Sequence, residues 1–204
     1  YPGKGQIISV SGFYKTFENP IELINRTGTS GAPELYYANV NKVNNIGAEF
    51  EVRYNLGTFC KKESKLWDNI TLYSNLSLIK STVDMSHFIG SGDNRPLQGQ
   101  SPYIINSGIF YNTPKKDMTV TLSYNVIGQR IYIVGNVQEP SVWENGRNVI
   151  DFQVSKKFGK HFETKLNIKD ILAQDLVYFQ DLNGNHKYDK GDNNWQNINF
   201  GQTI

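Results

Sequence analysis

Apolar and polar residues alternate strictly along several stretches of this chain. Ala48, Phe50, Val52, Tyr54 and Leu56 fall on one face of an extended segment, because side chains in a strand point to opposite sides with period two. Glu49, Glu51, Arg53 and Asn55 fall on the other. The pattern returns with Val120, Leu122, Tyr124 and Val126 against Thr119, Thr121, Ser123 and Asn125. It returns again with Ile150, Phe152 and Val154 against Asp151, Gln153 and Ser155, and with Phe162, Leu166 and Ile168 against Glu163, Lys165, Asn167 and Lys169. Each such ribbon has one face fit for lipid and one fit for water.

The alternation predicts eight strands, at about 6–17, 45–56, 68–83, 99–112, 118–134, 147–156, 161–178 and 196–204. Helical periodicity is absent, and Asp170-Ile171-Leu172-Ala173-Gln174 is too short to be more than a turn or bulge. The connections sort by parity. Those at 18–44, 84–98, 135–146 and 179–195 are long and rich in Gly, Asn, Asp and Pro, whereas those at 57–67, 112–117 and 157–160 are shorter. Transmembrane β-barrels have this layout, with short turns on one side and long loops on the other, and a soluble sandwich has no reason for it. Several segments also exceed the usual strand length and match the roughly 9–11 residues needed to cross hydrocarbon at a tilt. Aromatic residues near the strand ends fit interfacial girdles: Tyr103, Tyr111, Tyr132, Trp143, Phe158, Phe162, Tyr178, Phe179, Trp195 and Phe200. They also fit ordinary strand formers capping a sandwich core. No segment approaches the roughly 18 unbroken apolar residues of a membrane helix, so any crossing is made by strands.

Composition leaves this picture open. A chain of 204 residues with 38% apolar and 20% charged residues and a mean hydropathy of −0.48 reads as soluble, but so do barrels, since half of each strand faces water. A formal charge of +2, with no basic run interleaved with aromatics, sets nucleic acid aside as a partner. The single cysteine, Cys60, excludes an intrachain disulfide and reads as a passenger in a turn. The chain opens at Tyr1-Pro2-Gly3-Lys4 without an initiator Met or a leader, so processing or truncation is expected to have removed its beginning.

Several runs resemble a known family when taken in order. Leu97-Gln98-Gly99-Gln100-Ser101-Pro102-Tyr103 with Asn106-Ser107-Gly108-Ile109-Phe110-Tyr111 resembles late-barrel strands of TonB-dependent outer-membrane receptors of the Bacteroidetes type. So do Tyr124-Asn125-Val126-Ile127-Gly128-Gln129-Arg130-Ile131, Asn148-Val149-Ile150-Asp151-Phe152 running into Ser155-Lys156-Lys157-Phe158, and Leu166-Asn167-Ile168-Lys169-Asp170-Ile171-Leu172. The likeness runs from about Gly12 to the end. It implies an all-β, antiparallel transmembrane barrel in the bacterial outer membrane, of which residues 1–204 supply about eight strands, the C-terminal portion of a barrel of about 22. It also implies energised uptake of a scarce solute. The partners it brings are outer-membrane lipid, the protein's own N-terminal plug and remaining strands, TonB, and a surface lipoprotein. The run Phe200-Gly201-Gln202-Thr203-Ile204 stops short of the terminal aromatic usual in that family, and nothing here resembles a plug.

No catalytic site, cofactor site or metal site is expected, and the chain does not read as an enzyme, since a Ser elbow, a phosphate loop and paired carboxylates are all missing. The loop from Asp181 to Asp192 places oxygen donors at positions one, three, five, nine and twelve of a calcium register. His186 replaces its glycine and Asp192 its glutamate, which favours a polar external loop of turn residues. His87, His161 and His186 lack partners at ligand spacing. Glu49, Glu51 and Arg53, with Glu163, Lys165 and Lys169, would be costly against lipid and are expected on the watery face, as plug contacts or as solvated charge. Asn25-Arg26-Thr27 and Asn69-Ile70-Thr71 match a glycosylation pattern by chance.

Two rival architectures remain. A self-contained eight-stranded barrel, a small outer-membrane protein or adhesin, requires the first and last strands to pair. A soluble glycan-binding β-sandwich requires Phe50, Val52, Leu122, Tyr124 and Phe152 to be buried against a second sheet.

Overall fold

A computed structural model describes residues 5–27, 33–58, 66–84, 94–113, 117–136, 138–185 and 187–203. Cys60, His87 and His186 lie outside them. The strands are β1 (Ile7–Glu18), β2 (Ile21–Thr27), β3 (Pro33–Asn39), β4 (Lys42–Asn55), β5 (Ile70–Val83), β6 (Tyr103–Thr113) and β7 (Met118–Ile127). They continue with β8 (Arg130–Ile133), β9 (Val142–Glu144), β10 (Arg147–Phe158), β11 (Phe162–Ile168), β12 (Leu176–Gln180) and β13 (Asn193–Ile198). The only helical pieces among the described residues are single turns at Leu56–Thr58 and Trp67–Asn69, inside one of the shorter connections.

Seven strands form one antiparallel sheet, the wall, in the order β1-β4-β5-β6-β7-β10-β11. Six of them run from 10 to 14 residues, enough to cross a bilayer at a tilt, and β11 has 7. Gly159, at φ +65°, closes the β10–β11 hairpin with Phe158 paired to Phe162. The wall is open. Among the described residues β1 pairs only with β4 and β11 only with β10, with a single bridge from Lys169, just past β11, to Thr203. The first and last wall strands therefore do not pair, and the self-contained barrel fails its requirement.

In three of the long connections the described residues build strands of their own. β2 and β3 make a hairpin inside the stretch 18–44 that the alternation leaves as loop, because its partner strand is local and only seven residues long. β13, β12, β9 and β8 form a four-stranded sheet above the wall, and a parallel bridge between Ile24 and Val134 ties the hairpin to it. The expected strand 118–134 breaks at Gly128-Gln129 into β7 and β8. The expected strand 161–178 breaks at Lys169–Asp175, where Asp170 (φ +53°) and Ala173 (φ +45°) take the left-handed conformation. The Asp170–Gln174 run is thus a turn between two strands. Residues 196–204 do not form an eighth wall strand. Their first half belongs to β13, and beyond it Phe200 lies under the Arg147 guanidinium of β10 and Thr203 bridges to Lys169.

Buried apolar residues concentrate in this upper layer. Val40, Val43 and Val83 pack with Leu97 where hairpin and wall meet, and Ile133, Val142 and Tyr178 pack with Leu23, Leu176 and Ile198. Phe179 is fully buried. Tyr178 and Phe179, read from sequence as girdle residues, are core residues of the upper layer. Phe158 and Phe162, at the opposite end of the wall, are exposed.

Candidate functional site

The chemistry of this chain lies in the two faces of the wall and in the mouth above it. Register fixes both faces. On one, Ile8, Val52, Ser74, Ser107, Tyr124 and Ile150 form a row across six strands. The rows beside it are Val10, Phe50, Leu76, Ile105 and Val126, and Leu72, Ile109, Leu122, Phe152 and Ile168. Among the described residues no second sheet packs on this face. Val10 stays 68% exposed, Phe50 39% and Leu122 41%, and Tyr124 and Phe152 are half-buried by neighbours in their own sheet. The sandwich requires these residues in a dry interior, and they are not in one. So much contiguous apolar surface marks contact with a non-aqueous medium or a partner.

Polar groups on this face satisfy one another, as where the Tyr124 hydroxyl donates to the side-chain oxygen of Asn148 at 2.6 Å. The Ser74 and Ser107 hydroxyls hydrogen-bond to each other at 2.7 Å across the β5–β6 pair.

The opposite face is polar. Glu51, Asn75, Asn106 and Asn125 form one row, and the Asn125 amide donates to the Asn106 carbonyl oxygen at 2.5 Å. Arg53, Tyr73, Gly108, Ser123 and Asp151 form the next. Glu49, Glu51 and Arg53 are exposed here, as their alternation requires. Glu163 and Lys165 share the face on β11, 3.5 Å apart, with the Ser155 hydroxyl donating to Glu163 at 2.8 Å. Lys169 ends that strand by bridging to Thr203. Two glycines on this face let an aromatic ring lie across the neighbouring strand: Phe13 covers Gly47 and Tyr73 covers Gly108. A Cβ at Gly108 would stand 2.5 Å from the Tyr73 ring and 2.6 Å from the Leu122 carbonyl oxygen. Side-chain pairs of this kind pin strand register.

The mouth is held by polar groups that sequence spacing does not connect. Glu22 of β2 is fully buried and accepts from both terminal nitrogens of Arg95, at 2.9 and 2.5 Å, and from the Gln98 backbone N–H at 2.8 Å. Gln98 in turn accepts from the Leu23 N–H at 2.7 Å and donates to the Tyr132 carbonyl. Three loops distant in sequence thus share one network, and an Asn25–Glu139 contact extends it. Asn25 is buried with its amide engaged, which suits the chance reading of its glycosylation pattern. Lower down, Arg147 pairs with Asp170 at 3.3 Å, and Asp151 accepts from the Asp170 N–H at 2.8 Å, anchoring the break between β11 and β12.

In the Asp181–Asp192 loop the carboxylate oxygens accept from the loop's own N–H groups. Asp181 accepts from Gly184 at 2.8 Å, and Asp192 from Leu182 and Asp189 at 3.2 and 2.8 Å. Asp189 accepts from the Gly191 N–H at 2.8 Å and from the Asn185 and Asn183 amides at 2.7 and 3.1 Å. These donors, the Gly191 N–H foremost, hold its carboxyl below the usual aspartate range. Above the wall, Tyr178 packs between Tyr132 and Trp195, at ring centroid distances of 4.3 and 6.3 Å. Its burial pushes the phenol above the ordinary tyrosine value. His161 lies exposed in the β10–β11 turn.

Comparisons with known proteins agree with this geometry. No curated protein matches the sequence. Among solved structures, "Copper transporter OprC" superposes with a TM-score of 0.62 at 15% identity, over 92% of this chain and 27% of that one. This chain therefore spans about a quarter of that protein's length. The family model described as "TonB dependent receptor-like, beta-barrel" matches residues 1–171. An open antiparallel wall with an apolar outer face, superposing on a sector of a transporter barrel and matched by this model over most of its length, places the chain in the bacterial outer membrane; it belongs to the TonB-dependent receptor-like β-barrel family.

Proposed function

We propose that this chain is the C-terminal portion of a receptor barrel that takes up a scarce solute at the expense of energy delivered by TonB. Residues 1–204 supply wall and external loops, and the rest of the barrel and a plug come from outside this stretch. The observation that carries the reading is the open wall with one largely apolar face. Its two unpaired edges call for neighbouring strands, and its exposed apolar rows call for lipid. On this reading the polar face lines the lumen, where Glu49, Glu51, Arg53, Glu163 and Lys165 meet the plug or line the path. The interlocked mouth presents the solute, a surface lipoprotein docks above it, and the protein carries out transport rather than a chemical reaction. Copper, the cargo named for the similar transporter, is not assigned to this chain, since that likeness is one of fold.

The test has two arms. Upstream of Tyr1 the gene is expected to encode a leader, a plug and about fifteen further strands, the balance of a 22-stranded barrel once the seven wall strands are counted. Deleting the gene, or removing TonB, is expected to abolish the same growth advantage on a limiting solute. An upstream stop codon preceded only by a leader would overturn the assignment.

A further inference from the structure

The apolar face of the wall changes character toward its ends. Alternation places Glu18, Lys42 and Lys80 on it at the end where the long connections gather, and Lys156 at the other end. Among the described wall strands these are its charged residues. Glu18 and Lys42 stand opposite each other in one register pair. Lys80 sits two rows deeper, paired in register with Ile46, which pairs in turn with Tyr14. Its side chain is exposed, and among the described residues no ion pair or hydrogen bond engages it. Asp84, just past the end of β5, is about 13 Å further along at the usual rise per residue. A charge on a lipid-facing strand is costly at the midplane and nearly free at the interface, so Lys80 marks the headgroup level. Tyr14 and Tyr103 stand on either side of it, as amphipathic rings do at that level.

The polar groups beside Lys80 are turned to donate. The Tyr14 and Thr16 hydroxyls both donate to the Asn44 side-chain oxygen, at 2.9 and 3.0 Å. With its oxygen taken twice, the Asn44 amide keeps its N–H donors, and among the described residues nothing accepts from them. Asn44 pairs with Thr82, so it lies on the diagonal from Lys80, within reach of a long side chain. An ammonium and an amide left without acceptors on adjacent strands suit an anion with several oxygens, such as a phosphate. Toward the membrane centre the same strand turns apolar with Leu78 and Leu76. Below them lies a shallow hollow of about 610 Å³, where Ser74 and Ser107 dent the face between Val52, Leu72, Ile109 and Tyr124. Ser74 is about 15 Å deeper than Lys80 at the usual strand rise and tilt, a depth that the acyl chain of a headgroup at Lys80 occupies.

We propose that Lys80 and Asn44, the latter oriented by Tyr14 and Thr16, hold the phosphate of a phosphorylated lipid of the outer leaflet. Its acyl chain lies over Leu78 and Leu76 toward the hollow at Ser74 and Ser107. The proposal rests on the outer-membrane placement of the wall and is independent of the cargo. The test uses the full-length receptor, stripped of lipid in detergent and titrated with phosphorylated lipid A, with bound lipid counted by native mass spectrometry. Dephosphorylated lipid A and the deacylated, phosphorylated headgroup are the comparison ligands, each expected to bind at least tenfold more weakly. Lys80→Gln is expected to weaken binding of the phosphorylated lipid tenfold or more, with Lys80→Arg retaining most of it. Lys156→Gln, at the opposite end, should change it less than twofold. Tyr14→Phe combined with Thr16→Val, which releases the Asn44 amide, should weaken it about threefold, and heat-modifiable mobility shows each barrel intact. Unchanged binding to Lys80→Gln, or equal binding of the dephosphorylated lipid, overturns the proposal. Equal binding of the deacylated headgroup overturns it too, since the site would then serve a soluble anion.

Discussion

The wall and the layer above it are made from one chain by opposite rules. The wall has hydrogen-bonded ladders and almost no interior, and its apolar residues point outward along entire rows. The upper layer has short strands, bulges and turns, and it encloses Phe179, Ile131, Glu22 and Val40 almost completely. The largest fully buried side chains among the described residues lie in that layer or at the top of the wall, as Val43 and Val83 do. The difference is one of solvent. In lipid a strand needs its backbone satisfied and its side chains apolar, and nothing has to be hidden. In water the same chain must build a core to offset the entropy of ordering its loops.

Substitutions that strike one region and spare the other test this contrast. The largest effect is expected in the upper layer. Arg95→Ala leaves the Glu22 carboxylate buried and unpaired, a loss of about 3–5 kcal/mol. Hydrogen exchange is expected to show Leu23 and Gln98 opening while the β5–β6 ladder keeps its protection. Next comes the wall. Leu122→Arg puts a charge among lipid tails and is expected to cost about 2–4 kcal/mol, whereas Ser123→Arg, one residue on and facing the lumen, should stay within about 0.5 kcal/mol. Denaturant titration of the full-length barrel in phospholipid vesicles measures both.

A smaller effect tests register. Gly108→Ala drives a methyl into the Tyr73 ring and the Leu122 carbonyl at once, at about 1–3 kcal/mol. Adding Tyr73→Ala should recover only part of that loss, because the carbonyl cannot withdraw. Full recovery in the double variant would mean the ring alone sets the fit.

The smallest effect concerns acid. The Asp189 carboxyl is held below its ordinary value of 3.8 by the Gly191 N–H and two asparagine amides. Its contribution to the order of the Asp181–Asp192 loop is therefore fully present above about pH 4 and fades as the pH falls through the lowered value. The Gly191 amide resonance should follow that titration in wild type, and Asp189→Asn should abolish the pH dependence.

The same contrast explains what was legible in the sequence. The wall was readable because strict alternation, as at Ala48–Leu56 and Val120–Val126, follows directly from a sheet with lipid on one side and water on the other. The parity of the connections gave the side on which the loops gather. The upper layer was not readable, because its strands are three to seven residues long, too short for alternation to stand out, and one pairing, β9 with β12, joins segments far apart in sequence. Glu22 and Arg95 are 73 positions apart and carry no local signal of their pairing.

The central claim is that hydrocarbon touches the apolar rows, and lipid-borne quenching tests it residue by residue. Tryptophan introduced singly at positions 119 to 124 of the full-length barrel in brominated-lipid vesicles should be quenched with period two, strongly at 120, 122 and 124 and weakly at 119, 121 and 123. Uniform quenching, or quenching in the opposite phase, would contradict the account.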